Sequence, residues 1–216
     1  EATDRARRDE HRHTGAGTVL LSHSWRGLEL QTAQRVDAAD GRSPVWVPEL
    51  GAVWKARHWS VFGQVGRAFR NPTFDELYFE GPGIRGNPDL RPEDGVGYQL
   101  GISVGSSKAR LSLTAFHTRF DRLIFFETTG AYQVEARDDA SATTRGVETE
   151  GQLRYGPLGL SAFYTRLDAQ FDHEGGGALP LRAPHRFGGR GTIRWGRSLL
   201  YGEGQWRSEV TIDRAG

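Results

Sequence analysis

The spacing of its turns constrains this chain most, because connections between apolar runs alternate short and long from one end to the other. Arg26-Gly27, Arg57-His58, Gly105-Ser106-Ser107, Gly156-Pro157 and Gly196-Arg197 read as tight turns. Between them lie Asp37 to Pro44, Arg70 to Asp94, Thr128 to Ser141 and Gln170 to Ala183, all longer, polar and rich in Gly, Pro and Asp. In an up-and-down sheet successive connections fall on opposite edges. Strict alternation therefore gathers the tight turns at one rim and the long loops at the other.

Period-two alternation fills the intervals. Runs at 18–26, 27–36, 45–55, 58–69, 95–105, 108–127, 142–155, 158–169, 184–195 and 198–209 predict about ten meandering strands, with 45–55 the least regular because of Pro48. One set of alternate residues is apolar: Leu28, Leu30, Val61, Val65, Tyr98, Leu100, Ile102, Val104, Leu111, Leu113, Val147, Leu153, Leu158 and Leu160. Their neighbours, including Glu29, Gln31, Gln64, Gln99, Arg110, Ser112, Glu148, Glu150, Gln152 and Arg154, form a polar set. A soluble sandwich alternates just as cleanly, so alternation alone leaves two architectures open. Aromatic placement favours one of them. Trp25, Trp54, Trp59, Tyr155, Trp195 and Tyr201 all lie within a few residues of tight turns, where a barrel carries an interfacial girdle. The expectation is an all-β chain forming the antiparallel wall of a transmembrane β-barrel, with short turns on the periplasmic side and long loops outside.

Composition excludes several alternatives. Lys plus Arg total 28 against 27 for Asp plus Glu, so no global field attracts nucleic acid. Cysteine is absent, which removes disulfides and thiol chemistry. No run approaches the roughly 18 apolar residues of a membrane helix, and Glu1 to His13 is too charged for a signal peptide. Gly81-Pro-Gly-Ile-Arg-Gly86 formally fits a nucleotide-binding fingerprint but lacks the strand before and the helix after it. His11-x-His13 and Asp172-His173-Glu174 fall short of the convergent ligands of a closed metal site. Glu148 and Glu150 read as a charge ladder with Arg145 and Arg154 rather than an acid/base pair. The expectation is no enzyme, no metal and no cofactor.

Several segments resemble the TonB-dependent outer-membrane receptors. Val61-Phe-Gly-Gln-Val-Gly-Arg-Ala-Phe-Arg-Asn-Pro-Thr-Phe-Asp-Glu-Leu-Tyr78 matches the family's strand ending in an aromatic-basic-x-Pro turn and its Glu-Leu-Tyr loop. Gly86-Asn-Pro-Asp-Leu-Arg-Pro-Glu93 matches the return of that loop; Ala115-Phe116 through Leu123-Ile124 and Thr144-Arg-Gly-Val-Glu-Thr-Glu-Gly151 match two later strands. The matching motif residues are Arg70, Pro72, Glu76, Leu77, Tyr78, Gly86, Asn87, Pro88, Leu90, Pro92, Glu93, Arg145, Gly146 and Glu148, each structural first.

The resemblance implies part of a barrel of the 22-strand type. The family's plug domain, energy-coupling box and final aromatic residue are not among these residues. Residues 1–216 are accordingly expected to form roughly half a barrel, a fragment or truncated gene product, with 1–17 the remnant of an extracellular loop and 70–94 a long extracellular loop. The implied function is energy-coupled uptake of a scarce nutrient, such as an iron–siderophore or cobalamin, across the outer membrane of a Gram-negative bacterium. Implied partners are the small-molecule ligand, the TonB–ExbB–ExbD complex acting through a plug, and outer-membrane lipid. A passive porin-like barrel and a soluble β-sandwich binding module are the alternatives. Tyr78, Phe79, Arg85, Asn87, Arg91 and His173 are the candidate ligand contacts, with Gly81 to Asn87 expected as a free loop tip.

Overall fold

The computed structural model describes residues 12–130, 133–172, 177–180 and 182–210. The elements in chain order are β1 (Thr14–Trp25), β2 (Leu28–Ala39), β3 (Val45–Lys55), β4 (Trp59–Arg70), α1 (Phe74–Tyr78), β5 (Glu80–Gly81), β6 (Ile84–Arg85), β7 (Glu93–Gly105), β8 (Ala109–Gly130), β9 (Gln133–Tyr155), β10 (Leu158–Phe171), β11 (His185–Trp195) and β12 (Ser198–Arg207). Apart from the two-residue strands β5 and β6, the strands lie side by side in sequence order in one antiparallel sheet. The tight turns do share one rim. In the first of them Arg26 and Gly27 have φ of 46° and 86°, the left-handed pair that a two-residue hairpin turn needs.

Register fixes the faces. Leu28 stands opposite Trp54, Trp54 opposite Val61, Val61 opposite Ile102 and Ile102 opposite Leu113, while Leu160 stands opposite Leu153 and Gly191. The apolar set read from the sequence thus shares one face and the polar set the other. Among the described residues nothing covers the apolar face: Leu100 is 62% exposed and Leu111 58%. Along β8 the apolar-face residues are exposed and the polar-face residues half-buried, as on the outside and inside of a curved wall. A soluble sandwich would bury this face against a second sheet about 10 Å away. Among the described residues there is only one sheet, so the sandwich alternative falls.

Two packing details explain irregular residues. Phe62, Phe116 and Phe163 on the polar face stand directly opposite Gly101, Gly146 and Gly188 and lie over them, each ring filling the space of the missing side chain. β3 pairs with β2 along its length but with β4 only from Glu49 onward. Pairing stops at Pro48, which has no N–H to donate. Arg67 of β4 donates to the Trp46 carbonyl (2.6 Å) beyond that break.

The structure corrects three expectations. The stretch from Thr128 to Ser141, expected as a loop, is strand at 128–130 and 133–141, because β8 and β9 continue as a long hairpin that projects past its neighbours. Its apolar residues Ala136, Ala140 and Ala142 are buried against Leu90, Ile124 and Phe171 at the long-loop rim, which holds the sheet together there. Thr14–Gly17 belongs to β1, paired with Val36–Ala39, rather than to a loop remnant; residues 1–11 lie outside the described residues. Tyr201 stands opposite Thr192 on the polar face, whereas Trp25, Trp54, Trp59, Tyr155 and Trp195 share the apolar face at the tight-turn rim. It therefore leaves the girdle.

Candidate functional site

The connection from β4 to β7 is the most structured part of the long-loop rim. Asn71-Pro72 stops β4, and Thr73 then starts α1 with a capping box: its hydroxyl accepts from the Glu76 N–H (3.2 Å), and the Glu76 carboxylate accepts from the Thr73 N–H (2.7 Å). Leu77 points inward and packs with Leu90, Ile124 and Ala136; Pro72 is fully buried. Phe74 and Tyr78, one helical turn apart, stack at 6.3 Å on the outer side and are 42% and 41% exposed. Arg12 lies over the Phe74 ring and donates to the Pro72 carbonyl (2.9 Å).

The return leg is pinned to the helix. Gly86 N–H donates to the Phe79 carbonyl (2.7 Å) and Asn87 N–H to the Glu76 carbonyl (2.8 Å). A side chain at Gly86 would lie 2.8 Å from backbone atoms of Leu77 and Tyr78, so only glycine permits this approach. The Asn87 side-chain oxygen accepts from the Asp89 N–H (3.0 Å), a turn-forming contact. Between the two legs, β5 and β6 make a small hairpin whose outer strand pairs in parallel with β9, Ile84 opposite Val134. The expected free tip is thus docked on the projecting hairpin.

Charged groups fasten this module to the sheet. Arg70 donates to Glu93 (2.8 and 2.7 Å) and to Glu76 (2.9 and 3.0 Å), and buried Glu93 also accepts from the Ile124 N–H (3.0 Å). Asp94 receives Arg67 and Arg122. Arg91 holds Asp138 through both its side chain (2.8 Å) and its N–H (2.9 Å). Burial pushes the Glu76 carboxyl up, but Arg70 and Thr73 outweigh it and hold it below the ordinary value of 4.5. Asp138, in the projecting part of β9, is likewise pushed up by burial and held below 3.8 by Arg91.

Depressed carboxyl values make the docking acid-sensitive in one direction. The stabilisation is complete above the unfolded carboxylate range of about 4 and is lost as pH falls through the lower folded values. Protease cleavage between Phe79 and Arg91 should therefore be slow at pH 7 and appear below about pH 4. A cleavage rate independent of pH between 7 and 3, measured with a protease active across that range, would remove the ion pairs from the docking account.

The candidate ligand contacts divide. Tyr78, Phe79 and Arg85 are exposed, and Arg85 lines a cleft of about 260 Å³ with Glu80, Thr129, Gln133 and Glu135. Asn87 and Arg91 are engaged in the turn and the Asp138 pair, so they build the loop. His173 lies outside the described residues, as does His11; His13 pairs with Asp40 (2.9 Å). Arg145 falls on the apolar face and pairs with Asp168 (2.8 Å), so it is not in the Glu148 and Glu150 ladder. Sequence reasoning missed Arg67, Asp94, Arg122 and Asp138, whose partners lie 27 to 47 residues away and carry no spacing signal. A hollow of about 650 Å³ also runs along the polar face, lined by Glu150, Gln152, Ser161, Phe163 and the Arg190–Glu203 pair.

A one-layer antiparallel sheet with an uncovered apolar face, a polar inner face and unequal rims is the wall of a transmembrane β-barrel. The profile of the family described as TonB dependent receptor-like, beta-barrel, matches residues 6–215, and the chain belongs to that family. It is similar to the vitamin B12 transporter BtuB of Photobacterium profundum, 27% identical over 114 residues that make up 51% of this chain and 18% of the relative. It is also similar to the iron-regulated outer membrane virulence protein of Vibrio cholerae, 39% identical over 82 residues, 34% of this chain and 12% of the relative. Two solved structures share the fold. The siderophore receptor PirA from Acinetobacter baumannii superposes with a TM-score of 0.72 at 18% identity, covering 86% of this chain and 32% of that one. A variant of the ferric enterobactin receptor PfeA from Pseudomonas aeruginosa gives 0.72 at 17% identity, covering 91% and 33%. The chain therefore spans less than a fifth of these curated relatives and about a third of the solved receptors.

Proposed function

We propose that this wall belongs to an outer-membrane importer that takes up a scarce nutrient, an iron–siderophore complex or a cobalamin, with energy supplied by the TonB–ExbB–ExbD complex through a plug. Its place is the outer membrane of a Gram-negative bacterium, with the uncovered apolar face against lipid and the tight turns on the periplasmic side. The observation that carries the reading is the β4–β7 loop, which is docked on the β8–β9 hairpin and leaves Tyr78, Phe79 and Arg85 exposed. Exposed aromatic rings and a cation on one loop suit a bulky anionic or aromatic chelate. The two curated relatives, whose names give vitamin B12 transport and iron regulation, support the substrate class.

The test uses the full-length receptor in a host deleted for its own iron–siderophore and cobalamin receptors. Growth on one of these nutrients should return, and only when TonB is present. Growth that persists without TonB would instead mark a passive pore, and no growth on either nutrient would overturn the import reading. Replacing Tyr78, Phe79 and Arg85 together by Ser should weaken uptake about tenfold or more, since each lost aromatic or cationic contact is worth of order 0.5–2 kcal/mol. Unchanged transport by that variant would reduce the loop to scaffolding.

A further inference from the structure

The two rims differ in how their cations are satisfied. At the long-loop rim Arg67, Arg70, Arg91, Arg122 and Arg145 each sit on a carboxylate. At the tight-turn rim the sequence places Arg26, Lys55, Arg57, Lys108, Arg110, Arg154, Arg194 and Arg197 within four residues of a turn, against the single carboxylate Glu29, which Lys55 takes (2.8 Å). Arg26, Arg57, Lys108 and Arg197 lie in the turns themselves, are exposed, and form no ion pair among the described residues. Register puts Arg110, Arg154 and Arg194 on the polar face, so the four turn cations are the ones free to meet whatever surrounds the barrel.

A second feature lies at the same level. Trp25, Trp54, Trp59, Tyr155 and Trp195 belt this rim on the apolar face, and interfacial aromatics settle at headgroup depth. Arg26 joins the two sets: its guanidinium lies over the Trp25 ring, 5.2 Å from the centroid. From this placement we propose that the tight-turn rim is a binding surface for anionic phospholipid headgroups of the surrounding leaflet, with Arg26, Arg57, Lys108 and Arg197 contacting the phosphates and the tryptophans anchoring the chains below. The proposal rests on the membrane reading above, which supplies the lipid. Turn cations that form no ion pair among the described residues, on a rim whose one nearby carboxylate, Glu29, is held by Lys55, gain most from a surface of negative charge. The enrichment expected is about fivefold per contacting cation (about 1 kcal/mol).

The experiment reconstitutes the full-length receptor in vesicles containing either brominated phosphatidylglycerol or brominated phosphatidylcholine and reads quenching of its tryptophan fluorescence. The anionic lipid should quench with roughly fivefold preference at ~0.1 M salt, and the preference should collapse near ~1 M, where the screening length is about 3 Å. R26Q, R57Q, K108Q and R197Q combined should lose most of the preference, while R26K, R57K and R197K combined keep it; both variants are checked for assembly by heat-modifiable migration. Equal quenching by the two lipids in the wild type, or full preference in the Gln variant, overturns the proposal while leaving the membrane reading intact. If neither lipid quenches, the membrane reading itself fails.

Discussion

In the full-length receptor, Leu100→Arg and Leu113→Arg are expected to block assembly, whereas Gln99→Arg and Ser112→Arg assemble as the wild type does. The four positions lie on the neighbouring strands β7 and β8 and differ in the face they occupy. Leu100 and Leu113 are uncovered residues of the apolar face, 62% and 46% exposed. Gln99 and Ser112 look into the barrel, where a guanidinium finds water and polar neighbours. An Arg on the lipid face costs about 2–4 kcal/mol at the bilayer midplane and little near the interfaces. Combining the two apolar-face changes puts two like charges on diagonal neighbours and costs about 4–8 kcal/mol, within the whole stability margin of an ordinary domain. Heat-modifiable migration reads the result directly. Equal behaviour of the two sets would mean that the faces are wrongly assigned.

That assignment was legible because a strand has a period of two and each face meets one kind of surroundings. Turn chemistry was legible for a similar reason, since Arg26-Gly27 and Gly156-Pro157 punctuate the alternation locally. The segment from Thr128 to Ser141 was not. It projects past the neighbouring strands, where the uncovered apolar face does not continue, so its alternation weakens, and Glu135, Arg137, Asp138 and Asp139 give it the composition of a solvated loop. What makes it a strand is packing by small residues, Ala136, Ala140 and Ala142, which have weak strand preference and act only once Leu90, Ile124 and Phe171 are placed against them. Tyr201 was misplaced because nearness to a turn gives depth but not face.

The candidate site was legible as a motif and opaque as a geometry. Arg70, Glu76, Gly86 and Glu93 were recognisable by resemblance to known receptors, yet the sequence cannot say that one arginine serves both carboxylates. Nor could it separate Tyr78 and Arg85, left exposed, from Asn87 and Arg91, consumed in building the loop. Those distinctions depend on partners as distant as Asp138, 47 residues from Arg91, which come together only when the long hairpin rises beside the loop.

Arg70→Met is therefore expected to release the whole loop from the wall while leaving the barrel assembled. Arg70 is the cation that Glu76 and Glu93 share, and Glu93 is 7% exposed. Removing one partner of a buried pair costs about 3–5 kcal/mol because the remaining charge is stranded; the 40% exposure of the Arg70 side chain puts the effect at the low end, about 3 kcal/mol. Arg70→Lys keeps the charge but has one ammonium where the guanidinium fork reaches both carboxylates, so it should fall between. Combining Arg70→Met with Glu93→Gln removes the stranded charge as well as its partner and should recover part of the loss. Hydrogen exchange at Leu77, Leu90 and Ile124 reports docking: about 3 kcal/mol corresponds to more than a hundredfold faster exchange in Arg70→Met. The strand amides near the tight turns, tens of ångströms away along β4 and β8, should exchange as before. Wild-type protection at Leu77 and Leu90 in the Met variant would show that apolar packing and the remaining contacts, such as Arg91 with Asp138, hold the loop without Arg70, and accelerated exchange throughout the sheet would show that the loop and the barrel wall are a single cooperative unit.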